Sequence, residues 1–399
     1  MKKVVIWIGA LAAGAVLGVL GIHWLDQVMN VIATVYTRLF QLLAVPTIVL
    51  AVITTFATFG SNGSGRIFGR TLTYTLLTTF AAAAIGALLF VLIKPGNLPL
   101  ADISQADSSQ FSALNTNLSY LDHILGVVPN NIVRPFLEGN VLSLLVLAFA
   151  VGIGLSKLPD SDNKAVVVKG LTGLQDLLFL LIRGLIWTLP LGIVAFSAQL
   201  SAQLSAGVIA DSIGKYVLVV LGGNFIQFFV VLPLFLLANG LNPVHVLGRM
   251  SPAVLMALFT KSSAATLPVT MESAENRLGV RKEVARFVLP ICTTINMNGC
   301  AAFILVTSLF VMQNGGTPIT LGTILLWILI SVISAIGNAG VPMGCFFLTL
   351  SLMSGIGAPV AILGIILPIY TVIDMVETAE NVWSDSCVCA MTDKSIGQD

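Results

Sequence analysis

Charge is what this sequence has least of. Of its 399 residues only 9% are Asp, Glu, Lys or Arg, against roughly 25% in an ordinary soluble protein. A soluble bundle so poor in polar residues could not cover its own surface. Histidine is scarce too. His23, His123 and His245 all lie far in sequence from the polar clusters discussed below, and no nucleophile–base pair or metal-ligand spacing emerges, which argues against an enzyme. Nineteen basic residues stand against 18 acidic ones, a net charge of +1, with no basic stripe interleaved with aromatics, so nucleic acid is not an expected partner. The five cysteines, at 292, 300, 345, 387 and 389, all fall in the C-terminal third and contain no CxxC pair. They do not form the framework of a small secreted fold and read as polarisable packing residues.

What the chain has is hydrocarbon. It is 57% hydrophobic, with a mean hydropathy of +0.99. Apolar stretches near 4–22, 31–58, 68–93, 141–156, 171–200 and 213–238 approach or exceed the ~20 residues that a membrane helix needs. The first is long for a signal peptide and is followed by more, so it reads as a span. Three further apolar regions, 251–270, 285–311 and 319–372, are interrupted by polar and glycine-rich patches, and 94–140 is the one long polar connection. The sequence therefore predicts an all-α polytopic membrane protein whose partner is the lipid bilayer. Lys2 and Lys3, Arg66 and Arg70, Lys157, Lys164 and Lys169, Arg249, and the Arg277–Arg286 group alternate consistently with cytoplasmic termini and an external 94–140 loop. The match requires 251–270 to enter and leave by one side as a re-entrant hairpin.

Two segments have the composition for that. "TKSSAATLPVT" (260–270) sets Lys261, Ser262, Ser263, Thr266 and Pro268 inside an apolar stretch, and "SAIGNAGVPMG" (334–344) does the same with glycines and Pro342. Proline removes a backbone donor and glycine loosens a helix. Freed backbone groups at membrane depth must be buried in protein or line a cavity. Small residues also serve plain helix packing. Two such segments, each near unusual polar residues, favour the paired discontinuous helices of secondary transporters. Between them "TTINMNGCAAF" (293–303) interrupts another apolar run with Thr294, Asn296 and Asn298. This suggests a local unwinding whose carbonyls could meet a cation, or inter-helix bonding by the asparagines alone.

The densest polar feature is "DMVETAENVWSD" (374–385), which follows seventeen uncharged residues. At about 100° per residue, Asp374, Glu377, Thr378, Asn381 and Asp385 fall near 0°, −60°, 40°, −20° and 20°, one stripe of a helix, with Glu380 about 120° away. A carboxylate within a membrane is expensive and marks an ion or substrate pathway.

These four motifs, in this order, resemble the dicarboxylate/amino acid:cation symporter family of sodium-coupled glutamate/aspartate and serine/threonine transporters, with the last-span motif most similar to the bacterial serine/threonine type. The resemblance implies eight spans and two re-entrant hairpins, an elevator mechanism, a homotrimer and a place in the cell inner membrane. It implies a scaffold of 1–67 and 141–200, a moving transport domain of 68–93 and 201–399, and an extracellular loop at 94–140. It assigns Ser262 and Ser263 to the substrate α-carboxylate, Asp374 to the α-amino group and Asn381, beside Thr378, to the α-carboxylate. The gate would include Gly337, Gly340, Val341 and Pro342, the last two beside the substrate, and Cys300, at a position where many members carry Thr, would join the substrate-binding residues. One sodium would be held by Asp385 with backbone oxygens near Cys292, Asn296 and Asn381. A second would lie near Thr294, Met297 and residues 335–338, Ala335 and Asn338 among them. Two departures refine this. Members that take acidic amino acids carry arginine where this chain has Glu377, and a glutamate would repel a side-chain carboxylate. Asn298 replaces an aspartate of a third cation site, to which Thr78 and Thr79 could still lend oxygens; fewer than three coupled sodium ions are expected. The resulting expectation is sodium symport of a small neutral amino acid. Proton coupling, or an acidic or cationic amino acid substrate, are the alternatives, and an ion channel fits less well.

Overall fold

The computed structural model describes residues 2–58, 65–98, 128–138, 141–204, 208–336, 338 and 343–397. Among them there are helices and connections but no strand. That follows from the composition: in hydrocarbon a backbone must satisfy its own N–H and C=O groups, and a helix does so within one segment. The helices are α1 (Lys2–Val19), α2 (His23–Thr58), α3 (Gly65–Ile93), the short α4 (Arg134–Glu138), α5 (Val141–Lys157), α6 (Asp162–Leu204), α7 (Val208–Ile226) and α8 (Leu232–Ala238). They continue as α9 (Pro243–Thr260), α10 (Ser263–Glu272), α11 (Lys282–Ile295), α12 (Asn298–Asn314), α13 (Leu321–Ile336), α14 (Gly344–Gly355) and α15 (Ala361–Ile396). Four stretches among the described residues are long and apolar enough to cross a bilayer: Arg66–Ile93, Asp162–Ile182, Asp211–Ala238 and Lys282–Asn314.

The apolar runs in the sequence mark these helices well but not their ends. The helix containing 31–58 begins at His23, and the one containing 171–200 begins at Asp162. The region 319–372 divides into α13, α14 and the start of α15, which bends by 70° between Ala361–Leu367 and Ile369–Ile396. The residue between those segments is Pro368, which deprives the helix of one backbone donor. Of the polar connection 94–140, residues 99–127 and 139–140 lie outside the described residues.

The helices pack in two groups. In the first, α6 lies along α1 and α2, and α2 along α5. In the second, α3 packs on α7 and α12, and α15 packs on α9, α11 and α12. The groups meet where α15 touches α6 and where α14 touches α2 and α5.

Close approach in the first group depends on two glycines one turn apart. A Cβ on Gly14 would collide with the Val194 carbonyl oxygen, and one on Gly18 with that of Ala198. In lipid, where apolar burial gives no net drive to helix association, such close backbone packing carries much of the attraction. The variant Gly18→Val is therefore expected to destabilise the α1–α6 contact by about 1–3 kcal/mol, the usual cost of overpacking. The check is the thermal unfolding midpoint in detergent, which should fall. A midpoint unchanged from wild type would contradict the packing described.

Candidate functional site

Three breaks in helical structure converge on one helix, α15. The first is the turn between α9 and α10. Lys261 adopts a left-handed conformation (φ 55°), rare for a residue with a side chain, and ends α9. Ser262 then caps α10, its hydroxyl oxygen accepting the Ala265 N–H at 3.2 Å. The expected hairpin turn is present, and it divides the serine pair: Ser262 serves as cap, while Ser263 faces a cavity. The Lys261 ammonium donates to the carbonyl of Thr371 on α15 and lies close enough to Asp374 to attract it.

The second break falls between α11 and α12. Asn296 and Met297 leave helical geometry (ψ 66° and 70°), so the unwinding read from "TINMNG" is present. The third lies between α13 and α14. Here Gly337, Ala339, Gly340, Val341 and Pro342 are outside the described residues. Asn338 and Met343 flank them, and Met343, also left-handed (φ 64°), gives its N–H to Asp374 Oδ2 at 3.2 Å.

These elements enclose a small cavity. The α15 wall is Asp374, Glu377, Thr378 and Asn381. Lys261 and Ser263 close it from the first turn, Met297 and Cys300 from α12 and its approach, and Asn338 and Cys345 from the third break. None of the ten is more than 7% exposed. Four of the five stripe residues thus share one wall, as the helical spacing required. Asp385 lies one turn farther along.

Tyr370 places its hydroxyl 3.3 Å from Asp374 Oδ1 and 3.2 Å from Glu377 Oε2, so its single proton serves one carboxylate at a time. Glu377 Oε1 has no hydrogen-bond partner although it is buried. Asn381 Oδ1 accepts from the Gly299 N–H at 2.9 Å, and its Nδ2 lies 3.7 Å from the Cys300 sulfur, so Asn381 offers the cavity a donor. The Thr378 hydroxyl donates to the Asp374 carbonyl at 2.7 Å and so turns a lone pair outward. Glu380 is fully buried off the cavity, beside Gly299 and Asn224. A Cβ on Gly299 would come within 2.8 Å of Asn224 Oδ1 and 2.9 Å of Glu380 Oε2, which is why α12 meets α15 at a glycine.

Below the cavity runs a second polar layer. Asn296 Nδ2 donates to Asp385 Oδ1 at 2.9 Å and to Ser384 Oγ at 3.0 Å, and Asn298 Nδ2 donates to Ser384 Oγ at 2.7 Å. Thr79 donates to Asn298 Oδ1 at 2.8 Å, and the Thr78 hydroxyl lies 3.3 Å from Asn296 Oδ1. Asp385 Oδ2 is buried without a partner. An orphaned carboxylate oxygen among amide and hydroxyl oxygens suits a hard cation such as sodium. The proposed second cation group is less well gathered. Met297 and Asn338 face the cavity, but Thr294 is only half-buried with its hydroxyl on the Ile291 carbonyl, and Ala335 is not on the cavity wall. Cys292 is buried, its carbonyl accepting the Asn296 N–H at 2.9 Å.

One reading needs correction. Cys300 and Cys345 are not separate packing residues; they are joined by a disulfide across the cavity wall. Cys292, Cys387 and Cys389 are free and buried, as packing residues would be. Local sequence could not reveal the pair, because 45 residues separate its members. Tyr370 and Ser384 were legible and were missed. At about −40° and −80° on the same wheel they extend the acidic stripe, but neither carries a charge to draw notice.

Ser384 is the acceptor on which both asparagines converge. Replacing it with Ala leaves the Asn298 amide a buried donor without its partner, at a cost of about 1–3 kcal/mol. Ser384→Ala should lower the unfolding midpoint; a midpoint equal to wild type would mean that the layer is not holding the helices together.

The sequence that builds this buried carboxylate cavity and the oxygen-rich layer beneath it is similar to those of known proteins. The model of the sodium:dicarboxylate symporter family matches residues 4–395. The chain is 28% identical over 394 residues to neutral amino acid transporter B(0) of Oryctolagus cuniculus, covering 88% of this chain and 70% of the relative. It is 28% identical over 388 residues to neutral amino acid transporter A of Homo sapiens, covering 88% and 72%. To excitatory amino acid transporter 2 of Mus musculus it is 26% identical over 403 residues, covering 88% and 70%. With a match spanning nearly its whole length, the chain belongs to the sodium:dicarboxylate symporter family, whose members are transporters and not enzymes.

Proposed function

We propose that the chain carries a small neutral amino acid, serine or threonine, into the cell with sodium. The observation that carries this reading is Glu377, 1% exposed and set in the cavity with one oxygen free. A second carboxylate brought by an acidic substrate would meet it in a low dielectric and be repelled. A hydroxyl would instead donate to its unpartnered Oε1.

The rest of the amino acid has matching groups. Its ammonium pairs with Asp374, a charge-assisted contact, and the lone pair that Thr378 turns outward can accept from the same group. Its carboxylate is met by Asn381 Nδ2 and by Ser263. Sodium is cargo here. Asp385, with Asn296, the Cys292 carbonyl and the Thr78, Thr79 and Asn298 layer, holds one ion. The Met297 and Asn338 side of the cavity serves a second, under a gate that includes Val341 and Pro342. Helices α1, α2, α5 and α6 act as a fixed scaffold in a trimer at the inner membrane, and the remaining helices move as an elevator. The partition of helix contacts into two groups supports that division.

Uptake of radiolabelled amino acids into proteoliposomes tests the reading. With sodium outside, serine or threonine should accumulate and aspartate should not. Asp374→Asn should reduce serine uptake at least tenfold, and Asp385→Asn should raise the sodium concentration needed for half-maximal uptake. Aspartate uptake exceeding serine would overturn the substrate assignment. Uptake that persists without sodium and follows a pH gradient would instead indicate proton coupling through Glu377 or Glu380.

A further inference from the structure

The disulfide between Cys300 and Cys345 has no part in the transport reading, yet it sits on the cavity wall. Cys300 lies in the first turn of α12 and Cys345 in the first turn of α14. Their Cα atoms are 5.4 Å apart, within the span a disulfide bridges without moving backbone. Cys300 is 1% exposed and Cys345 3%. The Asn338 Nδ2 donates to both sulfurs, at 2.8 and 3.3 Å, a contact that would favour either as a thiolate. A Glu377 carboxylate oxygen lies within 4.8 Å of both.

Location gives the pair its consequence. The cavity lining is buried throughout, so solute enters only when part of the wall withdraws. The first turn of α14 borders the cavity, and Met343, just before it, closes over Asp374 through its N–H. A covalent tie from Cys345 to α12 fixes that turn in place. The wall formed by Lys261 and Ser263 carries no cysteine and so has no such covalent tie.

We propose that Cys300 and Cys345 form a thiol–disulfide latch that locks the α14 side of the cavity when oxidised and frees it when reduced. The oxidant is a low-molecular-weight disulfide, RSSR. One cysteine thiolate attacks it while the wall is open, forming a mixed disulfide and expelling RS⁻. As the wall closes, the second thiolate attacks the mixed disulfide, forming the Cys300–Cys345 bond and expelling the second RS⁻. The two cysteine protons pass to the two thiolates, so two thiols and one RSSR yield one protein disulfide and two RSH. A reducing thiol reverses both steps. The proposal rests on the transport reading only for the consequence to uptake.

The test compares full-length protein in proteoliposomes after treatment with glutathione disulfide or with dithiothreitol. Peptide mass spectrometry after alkylation verifies the state of the two cysteines. Two readouts follow. Amide hydrogen exchange over 344–355, which needs no substrate, should be at least tenfold slower in the cross-linked form. Serine uptake from the α14 side should be at least tenfold lower. In Cys345→Ala both quantities should be the same after either treatment, and Cys300→Ala serves if that variant does not fold. The proposal is overturned if Cys300 and Cys345 are recovered singly alkylated after oxidation, or if exchange over 344–355 is equal in verified oxidised and reduced protein. Exchange that responds while no amino acid is taken up in either state supports the latch and counts against the transport reading alone.

Discussion

A carboxylate buried at membrane depth must find donors or a counter-charge within the protein, because no water is there to supply them. Asp374, Glu377, Glu380 and Asp385, all on α15 and none more than 3% exposed, impose that requirement four times on one helix. An intact helix has no backbone N–H to lend, since each is bonded four residues back. Donors therefore come from places where helices stop. Met343 supplies one such N–H to Asp374, and Gly299, at the start of α12, supplies another to Asn381. The broken helices around α15 thus lend backbone donors to its polar stripe, at Asp374 and at Asn381.

Satisfaction is deliberately incomplete. Glu377 Oε1 and Asp385 Oδ2 remain without hydrogen bonds, in different layers of the same site, as do both oxygens of Glu380 off the cavity. Glu377 Oε1 lies beside a cavity with mixed donors and acceptors, and Asp385 Oδ2 beside amide and hydroxyl oxygens. On the proposed reading, an amino acid above and a cation below would share this one helix as a common frame, and any coupling between them is reciprocal by thermodynamic necessity. Left-handed backbone at Lys261 and Met343 places strain at the two turns that touch this frame, where strained conformations persist only if the surroundings hold them.

How much of this could be read from the residues divides along one physical line. Signals that act within a few residues were legible. The serines announced the turn at Lys261, although Pro268 sits inside α10 without ending it, Asn296 and Gly299 announced the break between α11 and α12, and the 3.6-residue period put Asp374, Glu377, Thr378 and Asn381 on one wall. Glu380 fell off that wall as its angle required. Pairings between distant segments were not legible. Nothing near Cys345 distinguishes it from a packing residue, and its bond to Cys300 exists only because α12 and α14 are brought side by side. The hydroxyls of Thr78 and Thr79 meet Asn298 across more than two hundred residues of sequence, a grouping that the family resemblance implies and local spacing does not. Tyr370 and Ser384 belong to an intermediate class: the helical period fixes their positions on the stripe, but a neutral hydroxyl carries no charge to set it apart from ordinary packing.

The central claim is that the acids of α15 hold an amino acid and sodium in one coupled site. It is tested most directly by titrating serine into purified protein at a series of sodium concentrations and measuring the dissociation constant at each. The account predicts that the serine dissociation constant falls steeply as sodium rises, and that Asp385→Asn, which does not touch the cavity, flattens the dependence. A serine affinity independent of sodium concentration would contradict it.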